Sequence, residues 1–353
     1  MSECDPRYDV TYQIGGSSSI VAPQGLRSIN WERRLDDIGT ARFVYVKSGQ
    51  TSQCCQSMGK ITPWRDSVNI IREGRIVWFG TVMTVEESRD EVVIEARDPL
   101  VWLTRRIVRS SLQFTQTDLT DIARRIIDDV LSYANPWAEI GFDVQYSPSG
   151  TLSDLLVEAD RFPRYAWNVL TEKLATGLDV VTVGKTAYFG PAPPAATVRL
   201  RTSDFEGDLS IRKDGNIYAA KVFVNANDDV RGEYPTSAAT NPLLVEKIIS
   251  DAQIQTQEAA ENHAKAMWAY SGQQGVPVIV QASDSLSLNP NTQIKLPQLV
   301  PGAQVQLTAD NYCFGRTQAF RLGRVTVDIA ANVEDIQISL QPVGPQALSD
   351  VTE

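Results

Sequence analysis

Trp31-Glu32-Arg33-Arg34-Leu35-Asp36-Asp37 opens the stretch that decides how this chain is read. It continues through a vicinal Cys54-Cys55 and through Pro63-Trp64-Arg65. Next come Ile70-Ile71-Arg72-Glu73-Gly74-Arg75-Ile76-Val77-Trp78-Phe79-Gly80 and Val93-Ile94-Glu95-Ala96-Arg97-Asp98, and Trp102-Leu103-Thr104-Arg105-Arg106 closes it. Runs such as Phe43-Val44-Tyr45-Val46, Val68-Asn69-Ile70, Ile76-Val77-Trp78-Phe79 and Val92-Val93-Ile94 mix β-branched and aromatic residues. Bounded by Gly, Asp or Ser, they predict strands. Glycine allows positive φ, so Glu73-Gly74 predicts a tight hairpin, and Ser88-Arg89-Asp90-Glu91 a second, polar turn. Short antiparallel strands with close turns suggest a barrel or sandwich. The stretch contains no histidine and no catalytic motif, and it points toward assembly.

The pattern changes after Arg109. Thr117-Asp118 can cap a helix whose apolar stripe is Leu119, Ile122, Ala123, Ile126, Ile127, Val130 and Leu131, a helical spacing that Asn135-Pro136 ends. A second helix fits Pro163 to Ala175, with Gly177 as its C-terminal cap. Val180–Val183 and Ala187–Phe189 read as a hairpin. Gly190-Pro191-Ala192-Pro193-Pro194 is stiff and non-helical, and makes the best boundary. Strands return at Val198–Leu200, Leu209–Ile211 and Ala219–Val224, with Asp214-Gly215 expected as another hairpin turn. A helix from about Ala252 to Tyr270 presents Ala260, Ala264, Met267 and Trp268. Further strands are expected at Val278–Val280, Ala303–Leu307, Arg324–Val327 and Ile336–Leu340. The expected division is a first β domain over 1–109, an α/β domain over 110–194, a second β domain over 195–345 with its inserted helix near 252–271, and a loose tail over 346–353. Arg72–Ile76 and Arg212–Ile217 share a glycine turn, a faint sign of a repeat.

Composition excludes several classes. A chain of 353 residues can hold two or three domains and a sizeable core. Its acidic, polar N-terminus does not resemble a signal peptide, and no apolar run approaches the length of a membrane helix. Four scattered cysteines fit a reducing compartment rather than a disulfide framework. Net charge is −10, and no cluster of Lys and Arg suited to gripping phosphates is present. The acid is uneven. Residues 1–109 hold 15 Lys and Arg against 14 Asp and Glu; of the chain's 33 basic and 43 acidic residues, that leaves 18 against 29 for the rest.

Candidate chemistry is sparse. His263 is the only histidine, beside Glu261 and Asn262, and reads as a half-exposed helix residue. A triad would need it together with a serine or with Cys4, Cys54, Cys55 or Cys313, and no nucleophile elbow is present. Adjacent cysteines do not suit a tetrahedral metal, so Cys54-Cys55 reads as a pair of free thiols. The acid pairs Asp36-Asp37, Glu86-Glu87, Asp128-Asp129 and Asp228-Asp229 point their carboxylates apart on any regular element, unlike a glycosidase pair. Trp64, Trp78 and Trp102 read as core, and Trp31, flanked by Asn30, Glu32 and Arg33, as the one facing a partner. No catalytic, cofactor-binding or metal-ligating residue is assigned.

The stretch Trp31–Asp37, Cys54-Cys55, Pro63–Arg65, Arg72–Gly80 and Ile94–Asp98 resembles the minor tail proteins of long-tailed phages that infect actinobacteria. Leu299–Gly302 and Leu322–Val325 resemble the closing barrel of such proteins. These are similar to tail-tip hubs, related to the baseplate hubs of contractile phages. The resemblance implies a mixed, β-rich α+β fold: two tube-like antiparallel β-barrels with inserted α/β elements. It implies a structural role, no enzyme activity and no cofactor, with three chains closing or adapting the tail tube at the virion tip and forming the channel for genome ejection. Implied partners are further copies of the chain, distal tail and tail-tube proteins, the C-terminus of the tape measure protein and other minor tail proteins or fibres. DNA would pass without specific binding, and no membrane insertion is expected. The acidic bias suits such a channel: acids should face the DNA path, and arginines such as Arg33, Arg34 and Arg97 should pair with neighbouring acids or face interfaces. A carbohydrate-binding receptor module would instead need clustered exposed aromatic faces, and a hydrolase a cleft with convergent acids or His263.

Overall fold

The structure, a computed structural model, describes residues 8–15, 20–47, 58–159, 161–174, 177–190, 197–207, 209–213, 219–226, 230–236, 245–250, 257–270, 278–281, 285–310, 313, 316–330 and 333–342. The first strands in chain order are β1 (Tyr8–Gln13), β2 (Ile20–Val21), β3 (Leu26–Arg34), β4 (Thr40–Val46), β5 (Ser67–Arg72), β6 (Arg75–Glu87) and β7 (Glu91–Arg97). A 3-10 turn, Pro99–Thr104, leads to β8 (Leu112–Asp118), helix α1 (Leu119–Leu131), the short α2 (Pro136–Ile140), β9 (Asp143–Tyr146), β10 (Leu152–Val157), α3 (Ala166–Leu174), β11 (Val180–Val183) and β12 (Thr186–Phe189). Then come β13 (Val198–Arg201), β14 (Ser210–Lys213), β15 (Lys221–Asn225), β16 (Arg231–Tyr234), β17 (Glu246–Ser250), α4 (Gln257–Tyr270) and β18 (Val278–Gln281). The last strands are β19 (Leu286–Ser287), β20 (Gln304–Ala309), β21 (Arg316–Ala330) and β22 (Val333–Pro342). The chain is a mixed, strand-rich α+β protein.

Two compact units emerge. One comprises Met1–Val198, Ser285–Gln304 and Leu322–Ser339; the other comprises Arg199–Asp284, Val305–Arg321 and Leu340–Glu353. In the first unit the hydrogen-bonded order is β21-β3-β4-β7-β6-β5-β1-β2, with β22 on the other edge of β21 and β19 beside β22. Alternation explains why the sheet forms. Ile29 and Trp31 on β3, Ala41, Phe43 and Tyr45 on β4, and Ile94 and Ala96 on β7 all turn to one buried face. The expected hairpin at Glu73-Gly74 is present: both residues have positive φ, 51° and 77°, as a two-residue turn between right-twisted strands requires. No backbone pairing among the described residues closes this sheet into a ring, so the closed barrel expected from the resemblance is not seen in the ladder.

The α/β elements of this unit pack over Leu119, Ile122, Ala123, Ile126, Ile127 and Val130, the stripe read from the sequence. Asp118 caps α1, its side chain accepting from the Thr120 backbone N–H at 2.8 Å. Helix α3 begins at Ala166 rather than Pro163, because Tyr165 is held extended by a β-bridge to Ile107 and the Ala166 N–H donates to Arg106 O. The helix expected from 252 is described only from Gln257.

The second unit centres on the sheet β16-β15-β17, with Ala260, Ala264 and Met267 of α4 packed on Val222 and Val224. The hairpin expected at Asp214-Gly215 falls on residues outside those described. β14 pairs with β18, and β15 pairs with β16 and β17. Helix α4 approaches the sheet at Gly232, where a Cβ would lie 2.2 Å from the Ala260 carbonyl carbon and oxygen. Gly232→Ala should therefore force helix and sheet apart and cost about 1–3 kcal/mol, read as a lower urea midpoint. An unchanged midpoint would mean that this contact relaxes freely.

Candidate functional site

The residues singled out by sequence that the structure describes have separate local roles. His263 is half-buried on α4, while Cys313 is an exposed free thiol. Cys4, Cys54, Cys55, Asp228 and Asp229 lie outside the described residues. The described acid pairs serve local structure. The Val180 N–H donates to Asp36 Oδ1 at 2.8 Å, and Asp37 pairs with Arg34 at 2.8 Å. Glu87 pairs with Lys47, and Asp129 accepts the Arg109 N–H at 2.7 Å. Among the described residues no group of three or more His, Cys, Asp or Glu could hold a metal ion, and no helix is long and apolar enough to cross a membrane.

The tryptophans need one correction. Trp78 is core, and Trp64 and Trp102 are half-buried against the cluster that holds Phe79, Leu100 and Leu119. Trp31, expected at a partner surface, is fully buried. Asn30 and Glu32 lie on the alternate positions of β3, while Trp31 follows Ile29 inward and Arg33, two residues on, is buried on the same side.

Several ionisable side chains are enclosed or nearly so in this unit. Arg33 donates from Nη2 to Val77 O at 2.6 Å and lies 5.1 Å from the Trp31 ring centroid. Burial pushes its guanidinium down to about 10. It pairs with no neighbouring acid, contrary to the sequence expectation; Arg34 does, with Glu32 and Asp37. Glu334 of β22 receives Arg72 as a fork, Nε at 3.0 Å and Nη2 at 2.8 Å, and the Tyr8 hydroxyl donates to it. Burial first, then the Glu334 charge, pushes the Tyr8 phenol far up. β22 stands at one end of the sheet and β1 with β5 at the other, so these side chains bridge the seam that the backbone leaves open. Asp98, expected beside Arg97, instead turns inward and accepts the Gly39 N–H at 2.7 Å and the Leu100 N–H at 3.0 Å. Burial lifts its carboxyl to about 7.

The opposite, outer face of this sheet carries a groove of about 600 Å³. Register builds it. On β4, Arg42 lies across from Asn30 of β3 and Glu95 of β7, while Arg97 of β7 lies across from Thr40. Between Val82 and Thr84 the β6–β7 register shifts, and this bulge brings Met83 and Thr84 into the wall together. Trp64 and Arg105 form the rim, with the guanidinium 6.0 Å from the ring centroid. Trp64 sits edge-on to Trp102, with centroids 5.1 Å apart. Its backbone is left-handed, φ 64°, a conformation that costs a bulky residue roughly 1–2 kcal/mol. Arg42, Arg97 and Arg105 are exposed, and none forms an ion pair among the described residues. Glu95, held by the Thr84 hydroxyl at 3.3 Å, is the only carboxylate in the lining. No spacing in the sequence marks this groove, because its walls come from separate segments.

No protein-family model matches the chain, and no curated protein matches it. Solved structures do. A tail protein from Neisseria meningitidis MC58 is 17% identical at TM-score 0.59, with 97% of each chain covered. The 43 kDa tail protein of prophage MuSo2 from Shewanella oneidensis is 14% identical at TM-score 0.61, covering 94% of this chain and 97% of its own. An E. coli component of the type VI secretion system, described as structurally similar to the T4 bacteriophage tail proteins gp27 and gp5, is 9% identical at TM-score 0.50, covering 95% of this chain and 77% of its own. Over nearly its whole length, the chain has the fold of these phage tail and secretion-system proteins.

Proposed function

We propose that this chain is a structural protein of a phage tail tip. Three copies would form a hub that closes or adapts the tail tube and provides the channel for genome ejection. Further partners would be distal tail and tail-tube proteins, the tape measure C-terminus and other minor tail proteins or fibres, with assembly in the host cytoplasm before incorporation at the virion tip. The observation that carries this reading is coverage: the likeness to the Neisseria tail protein takes in 97% of both chains, rather than one widely reused domain. The scarcity of convergent catalytic groups among the described residues accords with a structural role. So does the acidic excess outside residues 1–109, since like charge keeps passing DNA from sticking.

The test is the mass of the native assembly. A species at three times the 39.0 kDa of one chain is expected, from purified protein or from tail tips. A stable dimer or tetramer would remove the trimeric hub.

A further inference from the structure

We propose that the groove over β3, β4, β7 and β6 is one half of a contact between copies of this chain, and that its occupant is an acidic surface from residues beyond 109 of the next copy. The proposal rests on the cyclic assembly proposed above. A ring of identical chains uses a heterologous interface, in which two different patches of one chain must complement each other. This chain divides its charge in a way that suits such a pairing. Arg42, Arg97 and Arg105 against Glu95 give the groove a surplus of positive charge, while residues beyond 109 carry 29 acids against 18 bases.

The lining has the composition of an interface centre. Arg, Trp and Met are enriched there, and Arg and Trp are over-represented among the residues that dominate binding energy. Guanidinium forks match carboxylates, and these three have no carboxylate partner among the described residues of their own chain. Trp64 holds a strained backbone at the rim, and such strain clusters at ligand clamps and binding sites. A nucleic-acid strand fits less well. Glu95 sits across from Arg42 on the groove floor, where it would repel a phosphate chain yet leave the arginine forks free for separate carboxylates.

The experiment uses the full chain. Sedimentation velocity over a dilution series compares the natural protein with Arg42→Glu/Arg97→Glu and with the milder Arg42→Gln/Arg97→Gln, and far-UV circular dichroism checks each fold. The reversal should raise the concentration needed for assembly at least about tenfold per arginine, and the glutamine variant by less. In parallel, a photo-crosslinking residue replaces Met83 in assemblies mixed from isotopically light and heavy chains. Mixed-label crosslinks to peptides beyond residue 109 support the proposal even if the reversal variant fails to fold. A folded reversal variant that assembles like the natural chain overturns the groove assignment and leaves the trimer standing. A natural chain that stays monomeric throughout overturns both. Crosslinks confined to one chain, or labelled DNA binding abolished by the reversal while assembly is intact, assign the groove elsewhere and overturn it.

Discussion

Glu334→Ala is expected to lower the unfolding free energy of the chain by about 3–5 kcal/mol. Its carboxylate is 11% exposed and that of its partner Arg72 15%, so neither is well solvated. Removing the acid leaves the Arg72 guanidinium without its bidentate acceptor and the Tyr8 hydroxyl without its own. An enclosed charge deprived of its partner costs far more than the intact pair contributes, which is why the truncation is the informative measurement. Glu334→Gln keeps the shape and one acceptor oxygen, and should cost less. A double-mutant cycle with Arg72→Ala should show coupling above about 1 kcal/mol, with little response to salt because the pair is largely screened from solvent. A loss below about 1 kcal/mol, the range of exposed pairs, would mean that the seam between β22 and β1–β5 holds without these side chains.

This seam marks the limit of what the sequence reveals. Strands β4 to β7 were legible because β-branched and aromatic runs mark them, and because glycine or a polar run announces the turns that join β5 to β6 and β6 to β7; β1, β2 and β3 carried no such mark. The amphipathic face of α1 was legible for the same reason: a stripe at helical spacing is a local fact. The pairing of Trp31 with Val327 is not local. Nothing in either segment names the other, and only the buried face they share brings them together. Trp31 itself was misjudged from its polar neighbours. On a strand the adjacent Asn30 and Glu32 occupy the opposite face, Arg33 shares the inner one, and Ile29, two residues back, is the better guide. Arg97 and Asp98 show the same effect. Adjacent in sequence, they look like an ion pair, yet alternation sends Arg97 to the groove and Asp98 to the interior. The groove could not be read at all, because its arginines come from two strands and a turn, and a bulge sets its wall.

Asp98 is the second place where a large effect is expected. It accepts the Gly39 N–H at the start of β4 and the Leu100 N–H of the 3-10 turn, and so ties the sheet to the turn that leads to Arg105. Asp98→Ala would strand both donors in the interior, at about 1–3 kcal/mol each. The titration of Asp98 carries a distinct signature. Burial, opposed by the two N–H donors and assisted by the charge of nearby Asp37, lifts its carboxyl to about 7, against an ordinary value near 3.8. Between those values the folded chain holds a proton that the unfolded chain has released. The contribution of Asp98 is therefore greatest below about pH 4 and is lost as pH rises through about 7. The natural protein should lose stability relative to Asp98→Asn as pH rises from 5 to 8, by at most about 1.4 kcal/mol per unit. Urea unfolding of both proteins at each pH gives the difference directly, and the shared background of other titrating groups cancels. Parallel stability curves would show that the carboxyl keeps its charge throughout, so that the two backbone donors outweigh the burial that opposes them.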